Sequence, residues 1–292
     1  MNSYWIDVML GGGINAVLAW SLGVIVRSGQ LSVGHAALAG VGGYVAAYLA
    51  LHGASTLLTF VAAFFAAGAV GLILSTLTLR LNHLFLALAT LIFGQIIVIV
   101  VGNTDTFGGA AGLAGIPLIP VGRITVGILV VIVLVELLIL RGSRFELLTR
   151  VFAHDPDLVA MSGVSPRLLQ IGCFTVSAAA AGIGGTLTMY HASVIQPVDL
   201  SFDRSLFILV YVMVGGAASG LGSLAGGFVL TVLPNVLGLE GVSASLLLGV
   251  VLLAVMLLRS EGLIPRLPLR LTTKDSRTSE RGHFIRRTSH RT

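Results

Sequence analysis

The chain of 292 residues is 56% hydrophobic and only 10% charged, with a mean hydropathy of +1.01. Soluble domains carry roughly a quarter charged residues, so this composition excludes a water-soluble globular protein and defines an integral membrane protein. The formal charge of +5 does not imply nucleic acid, because the basic residues cluster beside apolar runs, where membrane topology accounts for them. The single Cys173 excludes an intrachain disulfide framework or a cysteine metal site.

Nine apolar runs of helical character are predicted, at about 6–26, 31–51, 55–79, 83–101, 124–140, 168–190, 205–217, 221–238 and 243–258, two of them short. The first has no basic leader, starts near Asp7 and is followed by further runs, so it is expected to be retained rather than cleaved as a signal peptide. The junctions Arg27–Gln30 and Arg80–Asn82, the loop 141–167 and the segment after Leu258 hold Arg27, Arg80, Arg141, Arg144, Arg150, Arg167 and nine basic residues from Arg259 to Arg291. Only Arg123 and Arg204 fall on the other side. The positive-inside rule then puts the N-terminus outside and the C-terminus in the cytoplasm. The expected fold class is an all-α polytopic membrane protein of about 8–9 transmembrane helices, some of them broken or short and glycine-rich. Residues 1–258 are read as the transmembrane domain, with a cytoplasmic loop at 141–167, and 259–292 as a basic, disordered cytoplasmic tail whose proximal charges lie near anionic head groups.

Within the second run, Gly29-Gln-Leu-Ser-Val-Gly-His-Ala-Ala37 places Gln30, Ser32 and His35 in apolar surroundings. His35 either lines a pathway or hydrogen-bonds the carbonyl of a neighbouring helix; Gln95 is a second buried polar candidate or an interhelical bond. The segment Gly102–Arg123, with Gly108-Gly-Ala-Ala-Gly-Leu-Ala-Gly-Ile-Pro117, is too glycine-rich for a stable helix and too apolar for a solvated loop. It is expected to cap the outer face, against the membrane or on other helices. Glu136 is expected to snorkel toward the interface near Arg141.

The loop 141–167 is punctuated for a short helix. Asp155 is a good N-cap, Pro156 suits the first helical position and Gly163 the left-handed exit, which predicts a helix over about 156–162. Ser165-Pro166 repeats the start signal and launches the next span. Such a helix either docks on a soluble partner or is a plain structured loop. The span 168–190 carries a small-residue face, Ser177-Ala-Ala-Ala-Ala-Gly-Ile-Gly-Gly185, and the connection after it, with Pro197, Asp199, Asp203 and Arg204, reads as solvated loop.

The densest glycine stretch is Gly215-Gly-Ala-Ala-Ser-Gly-Leu-Gly-Ser-Leu-Ala-Gly-Gly227, fed by the apolar run from Leu206 to Val214. Small residues four apart, such as Gly216/Gly220 and Gly222/Gly226, predict two short helices meeting at a tight junction. Irregular backbone at membrane depth is tolerated where it is buried in protein or lines a water-filled cavity, so Gly216, Ser219, Gly220 and Gly222 stand either beside a pathway or in ordinary helix packing.

Four segments in this order, Gly29–Ala37, Gly108–Pro117, Ser143 through Gly163, and Gly215–Gly227, resemble the permease subunits of ABC importers for branched-chain amino acids, the LivM-type subunit in particular. The resemblance spans about residues 15–258. It implies that the cytoplasmic loop carries a helix coupling to the ATPase, with Asp155, Pro156, Asp157 and Gly163 at the coupling site. Leu158 and Val159 stand where the family usually has alanine. It implies further that Gln30, Ser32, His35, Gln95, Gly216, Ser219, Gly220 and Gly222 belong to the translocation path. The implied partners are a second homologous permease subunit, two ATP-binding subunits and a periplasmic or extracellular substrate-binding protein, in a bacterial inner membrane. No cofactor or metal is expected on this chain, ATP-Mg being held by the partner subunits; the sequence has no glycine-rich loop ending in Gly-Lys-Ser/Thr. The expected cargo is a branched-chain or other hydrophobic amino acid, with urea or short amides as the alternative.

Two rival readings come from other classes. An ion-coupled secondary transporter would need a buried carboxylate or similar relay, and the sequence offers only Glu136. An intramembrane hydrolase would use Ser219 as nucleophile with His35 or His191 as base.

Overall fold

A helix that is apolar on every side must be covered on every side, and the first run meets that condition. In the computed structural model, which describes residues 2–140, 143–239 and 241–258, every residue of α1 (Asn2–Arg27) from Gly12 to Ile25 is buried. Packed on this column are α5 (Val121–Leu134), α8 (Pro166–Ala192), α9 (Phe202–Gly215) and α10 (Gly220–Val236), while α2 (His35–Leu51) and α3 (Thr56–Thr78) lie on α8, α4 (His83–Gly102) on α2 and α11 (Val242–Leu258) on α9. A π-helical turn, Val135–Leu140, extends α5, and two further helices, α6 (Arg144–His154) and α7 (Pro156–Met161), precede α8. The expected tail 259–292 and Arg141 lie outside the described residues.

All nine predicted runs are helices, but they are not nine equal spans. Among the described residues, five helices are long and apolar enough to cross a membrane: Ser3–Arg27, Thr56–Thr78, Leu84–Gly102, Val121–Leu138 and Pro166–Ala192. A crossing takes about 20 residues; α2 and α10 have 17 each and α9 has 14. Between α9 and α10 the chain turns by 119°, so together they bring the count to six if taken as one broken crossing.

Glycine brings the helices together where the sequence placed it. A Cβ on Gly182 of α8 would come 2.5 Å from the Ala63 carbonyl oxygen of α3, and one on Gly42 of α2 would run into Gly182 itself. A Cβ on Gly227 of α10 would stand 2.6 Å from the Asn15 carbonyl oxygen, so α10 lies directly on α1. The small-residue faces of α2, α8 and α10 are therefore backbone contacts. In contrast, Leu57, Phe65, Leu84, Ile99, Val130, Leu138 and Leu253 are exposed on the outer faces of α3, α4, α5 and its π extension, and α11.

Two connections that read as outer-face loops lie on the bundle. Segment 103–120 forms two short 3-10 turns and a two-residue strand, β1 (Leu113–Ala114), paired antiparallel with β2 (Val194–Ile195). Phe107 meets Tyr44 edge to face at 5.9 Å, so the expected cap lies on other helices. The connection after α8 departs from its reading as solvated loop: Ile195, Pro197 and Leu200 are buried, and Leu200 fills the space a Cβ on Gly40 would take. Asp199 and Asp203 remain exposed. Apolar residues alternate with the acids here, and burial of every second or third residue draws the segment into the bundle.

Candidate functional site

At one end of the bundle, α6 and α7 form a separate small platform. α7 starts as the sequence predicts: Asp155 Oδ1 accepts from the backbone N–H of Asp157 at 2.9 Å, Pro156 occupies the first turn, and Gly163 takes φ +81° beyond the end. Val159 is 0% exposed, seated on Leu169 and Cys173 of α8 with Leu148, Val151 and Phe152 of α6 packed alongside. Leu158 and Met161 face out, 53% and 84% exposed. The two departures from the alanine pattern thus divide the work, one anchoring the helix and the other lying bare beside Asp157. Helix α6 was missed in the sequence, although Ser143-x-x-Glu146 is a start signal. Ser143 Oγ accepts from the Glu146 N–H at 3.1 Å, and Glu146 pairs with Arg150 one turn on.

The junction from α1 to α2 abuts this platform. Gly29, at φ +74°, lies so close to α6 that a Cβ would come 2.9 Å from Ala153 Cα. The polar residues on either side of it are enclosed: Ser28, Gln30, Ser32 and His35 are all buried. Ser21 Oγ of α1 lies 2.8 Å from His35 Nε2 and donates its own proton to the Leu18 carbonyl. The imidazole must then donate through Nε2 and present Nδ1 as an acceptor. The partner is thus a hydroxyl of α1, where the sequence reading offered a backbone carbonyl or a pathway. Gln30 Nε2 donates to Ser28 Oγ at 2.8 Å, while Gln30 Oε1, Ser32 Oγ and His35 Nδ1 have no protein partner. The start of α2 is capped from other helices, Val33 N–H by Thr90 Oγ1 and Ala36 N–H by Ser205 Oγ. Gln95 does not join this group: it is exposed on α4. Ser21→Ala removes the hydrogen bond of the His35 imidazole and is expected to cost about 1–3 kcal/mol, read as a lower midpoint in thermal denaturation of the detergent-solubilised protein.

The glycine junction lies across α1. Gly216, at φ +112°, ends α9, and Ser219 caps α10 by accepting from the Gly222 N–H at 3.2 Å. Gly215, Gly216, Gly220 and Gly222 are buried and Ser219 half-buried, with α9 and α10 so close that a Cβ on Gly215 would come 2.8 Å from Gly226 Cα. A Cβ on Gly23 of α1 would come 3.0 Å from Ser223 Cβ. Gly23 and Ser21 are two positions apart, about 200° around the helix. The junction and the His35 cluster therefore occupy opposite faces of α1, and the structure does not gather the sequence candidates into one cluster.

Glu136 overturns its own sequence reading. It does not snorkel: it is buried in the π turn, its Oε1 accepting from Arg27 Nη1 at 2.7 Å and its Oε2 from Trp20 Nε1 at 3.0 Å. The carboxylate lies where a Cβ on Gly220 would stand, at the start of α10. A π turn re-aims one side chain inward relative to the α-helical pattern, and that local change is invisible to a reading based on regular periodicity. Arg204 also departs from the solvated reading, its Nη2 donating to Asn15 Oδ1 at 3.0 Å while Asn15 Nδ2 donates to Thr231 Oγ1 at 3.0 Å. Trp20, Arg27, Asn15 and Arg204 were not singled out as functional; the only signal was their being polar or aromatic in, or at the end of, an otherwise apolar helix.

The rival chemistries find little support in these contacts. Ser219 is engaged as a cap, His35 is bound to Ser21, and His191 Nε2 lies 3.6 Å from Asp7 Oδ1. Both oxygens of Glu136 are occupied, so it offers no free carboxylate to a proton or sodium ion.

The chain matches the family profile described as branched-chain amino acid transport system / permease component over residues 4–258. It belongs to that family, which makes it a transport component. It is similar to the high-affinity branched-chain amino acid transport system permease protein LivM of Escherichia coli K12 and to the protein of the same name from Salmonella typhimurium LT2. Each is 28% identical over 295 residues, covering 89% of this chain and 68% of the relative. No solved structure matches the chain.

Proposed function

We propose that this chain is a permease subunit of an ATP-driven ABC importer in a bacterial inner membrane, working with a second homologous permease, two ATP-binding subunits and an external binding protein that delivers a branched-chain or other hydrophobic amino acid. The observation that carries this reading is α7: a capped helix whose Val159 is anchored in the platform while Leu158 and Met161 stand exposed beside Asp157. Exposed leucine and methionine one turn apart suit insertion into an apolar groove of a soluble partner. In this reading α7 faces the cytoplasm, the N-terminus lies outside, and α9 with α10 makes a re-entrant hairpin, which keeps the basic tail inside. Closure of the ATP-binding subunits moves α7, and the bundle passes from outward- to inward-facing. The unpartnered acceptors of Gln30, Ser32 and His35 give polar contacts to a passing zwitterion, and the scarcity of fixed charge in the spans suits a cargo with no net charge.

The test is a double substitution, Leu158→Glu with Met161→Glu. Both positions are exposed, so the chain is expected to insert with unchanged yield, while ATPase subunits recovered through a tag on this chain fall at least tenfold, along with ATP-energised leucine uptake in membrane vesicles. Unchanged recovery and uptake refute the coupling role of α7.

A further inference from the structure

The Arg27–Glu136 pair lies between the two parts of the molecule that the transport cycle must connect. On one side, Arg27 ends α1 two residues before Gly29, whose backbone is pressed against Ala153 of α6, so the pair sits beside the platform that carries α7. On the other, the Glu136 carboxylate fills the space next to Gly220, the first residue of α10 after the break from α9. Both side chains are only 9% exposed. Hydrogen bonds hold both members: Arg27 Nε donates to the Gly23 carbonyl at 3.1 Å, its Nη1 to Glu136 Oε1, and Trp20 Nε1 to Glu136 Oε2. The carboxylate further faces the positive end of the 17-residue α10.

We propose that Glu136 is a positioning residue of the transport cycle: with Arg27, Trp20 and Gly220 it forms the joint through which movement of the α6–α7 platform reaches the α9–α10 break. The proposal rests on the importer reading above. Its physical basis is the sharpness of an ion pair in a low-dielectric interior. Two charges there attract far more strongly than in water, and a half-separated pair leaves both poorly compensated. Directional hydrogen bonds and close packing around the pair leave it few intermediate positions, so a small displacement at α7 is converted into a discrete change at the junction. Trp20 and Arg27 fix the carboxylate to α1, and Gly220 lets α10 start directly on it. While the pair is made, the start of α10 is held against α1 and α5. When the platform draws Gly29 and Arg27 aside, the carboxylate is released and the hairpin loses its stop.

Two readouts test this, one of which does not require transport. The first is maleimide labelling of a reporter, Ala218→Cys, at the junction of the purified chain; Cys173 is buried. Glu136→Gln and Arg27→Gln are each expected to raise the labelling rate at least fivefold, Trp20→Phe by a smaller factor, and Arg27→Lys to stay within twofold. The second is leucine taken up per ATP hydrolysed by the whole complex, purified through this chain and reconstituted in liposomes. That ratio is expected to fall at least tenfold in Glu136→Gln with ATPase subunits still bound, and to remain within threefold in Arg27→Lys. A wild-type labelling rate and ratio in Glu136→Gln overturn the proposal, as does a lower yield of complex with the ratio unchanged, which marks a merely structural pair. If the glutamine variants fail to assemble, Trp20→Phe decides: an unchanged labelling rate and ratio overturn the joint. A labelling increase in variants of a chain whose wild-type complex shows no ATP-driven uptake retains the joint and removes the importer reading.

Discussion

Gly182→Val is expected to leave no folded protein in the membrane, while Gly172→Val, ten positions earlier on the same helix, behaves as wild type. Gly182 lies where α2, α3 and α8 meet: a Cβ there would come 2.5 Å from the Ala63 carbonyl oxygen and 2.7 Å from Ala67 Cβ, with the Gly42 backbone of α2 at its back. None of these neighbours is the free end of a flexible side chain, so the helices themselves must separate. Overpacking a rigid core costs about 1–3 kcal/mol in ordinary cases, and valine at a backbone-to-backbone contact belongs at or beyond the upper end. A Cβ on Gly172 meets nothing within 4 Å, and its replacement is expected to change stability by less than about 0.5 kcal/mol. Fluorescence-detected size exclusion of tagged variants in mild detergent distinguishes the outcomes: a monodisperse peak for Gly182→Val would show that the helices are not in backbone contact there.

The second large effect belongs to the α7 platform. Val159→Asp places a lone carboxylate at a position with 0% exposure among Leu169, Cys173 and Phe152, a burial worth several kcal/mol without a partner. A helix of six residues has no comparable stabilisation of its own, so the helix leaves its seat before the charge is buried. The bundle, whose clusters around α1 are separate from this one, is expected to keep its thermal midpoint. ATP-energised uptake should fall at least tenfold, and a new protease-sensitive site should open between residues 154 and 163. Val159→Ala loses about two buried carbon groups, about 1.5 kcal/mol, and should retain most of its uptake. Full transport by Val159→Asp would show that the seating of α7 is unimportant.

What could be read from the sequence was whatever depends on local pattern. Asp155, Pro156 and Gly163 announced α7 because capping and turn chemistry are decided within a few residues, and the runs of glycine and alanine in α8 and α10 announced close contacts because little else justifies them in lipid. Helix α6 should have been legible from Ser143 and Glu146. The partners of polar groups were not, because they are set by tertiary geometry: nothing in the chain links Glu136 with Arg27, 109 residues away, or Asn15 with Thr231, 216 away. For the same reason Gln95 and His35 looked equivalent as polar residues in apolar runs, yet one is exposed and the other enclosed. Span number suffered from a related limit, since apolarity marks residues hidden from water and does not separate those facing lipid from those facing α1.

The central burial of α1 has a consequence for biogenesis. The partners of this helix follow it in the chain: the Asn15 amide reaches Arg204 and Thr231, and the Arg27 guanidinium reaches Glu136, only when α9, α10 and the π turn after α5 are in place. Until then the Asn15 amide, in the middle of the helix, stays uncompensated in lipid, a state that is costly and exposed to quality-control proteases.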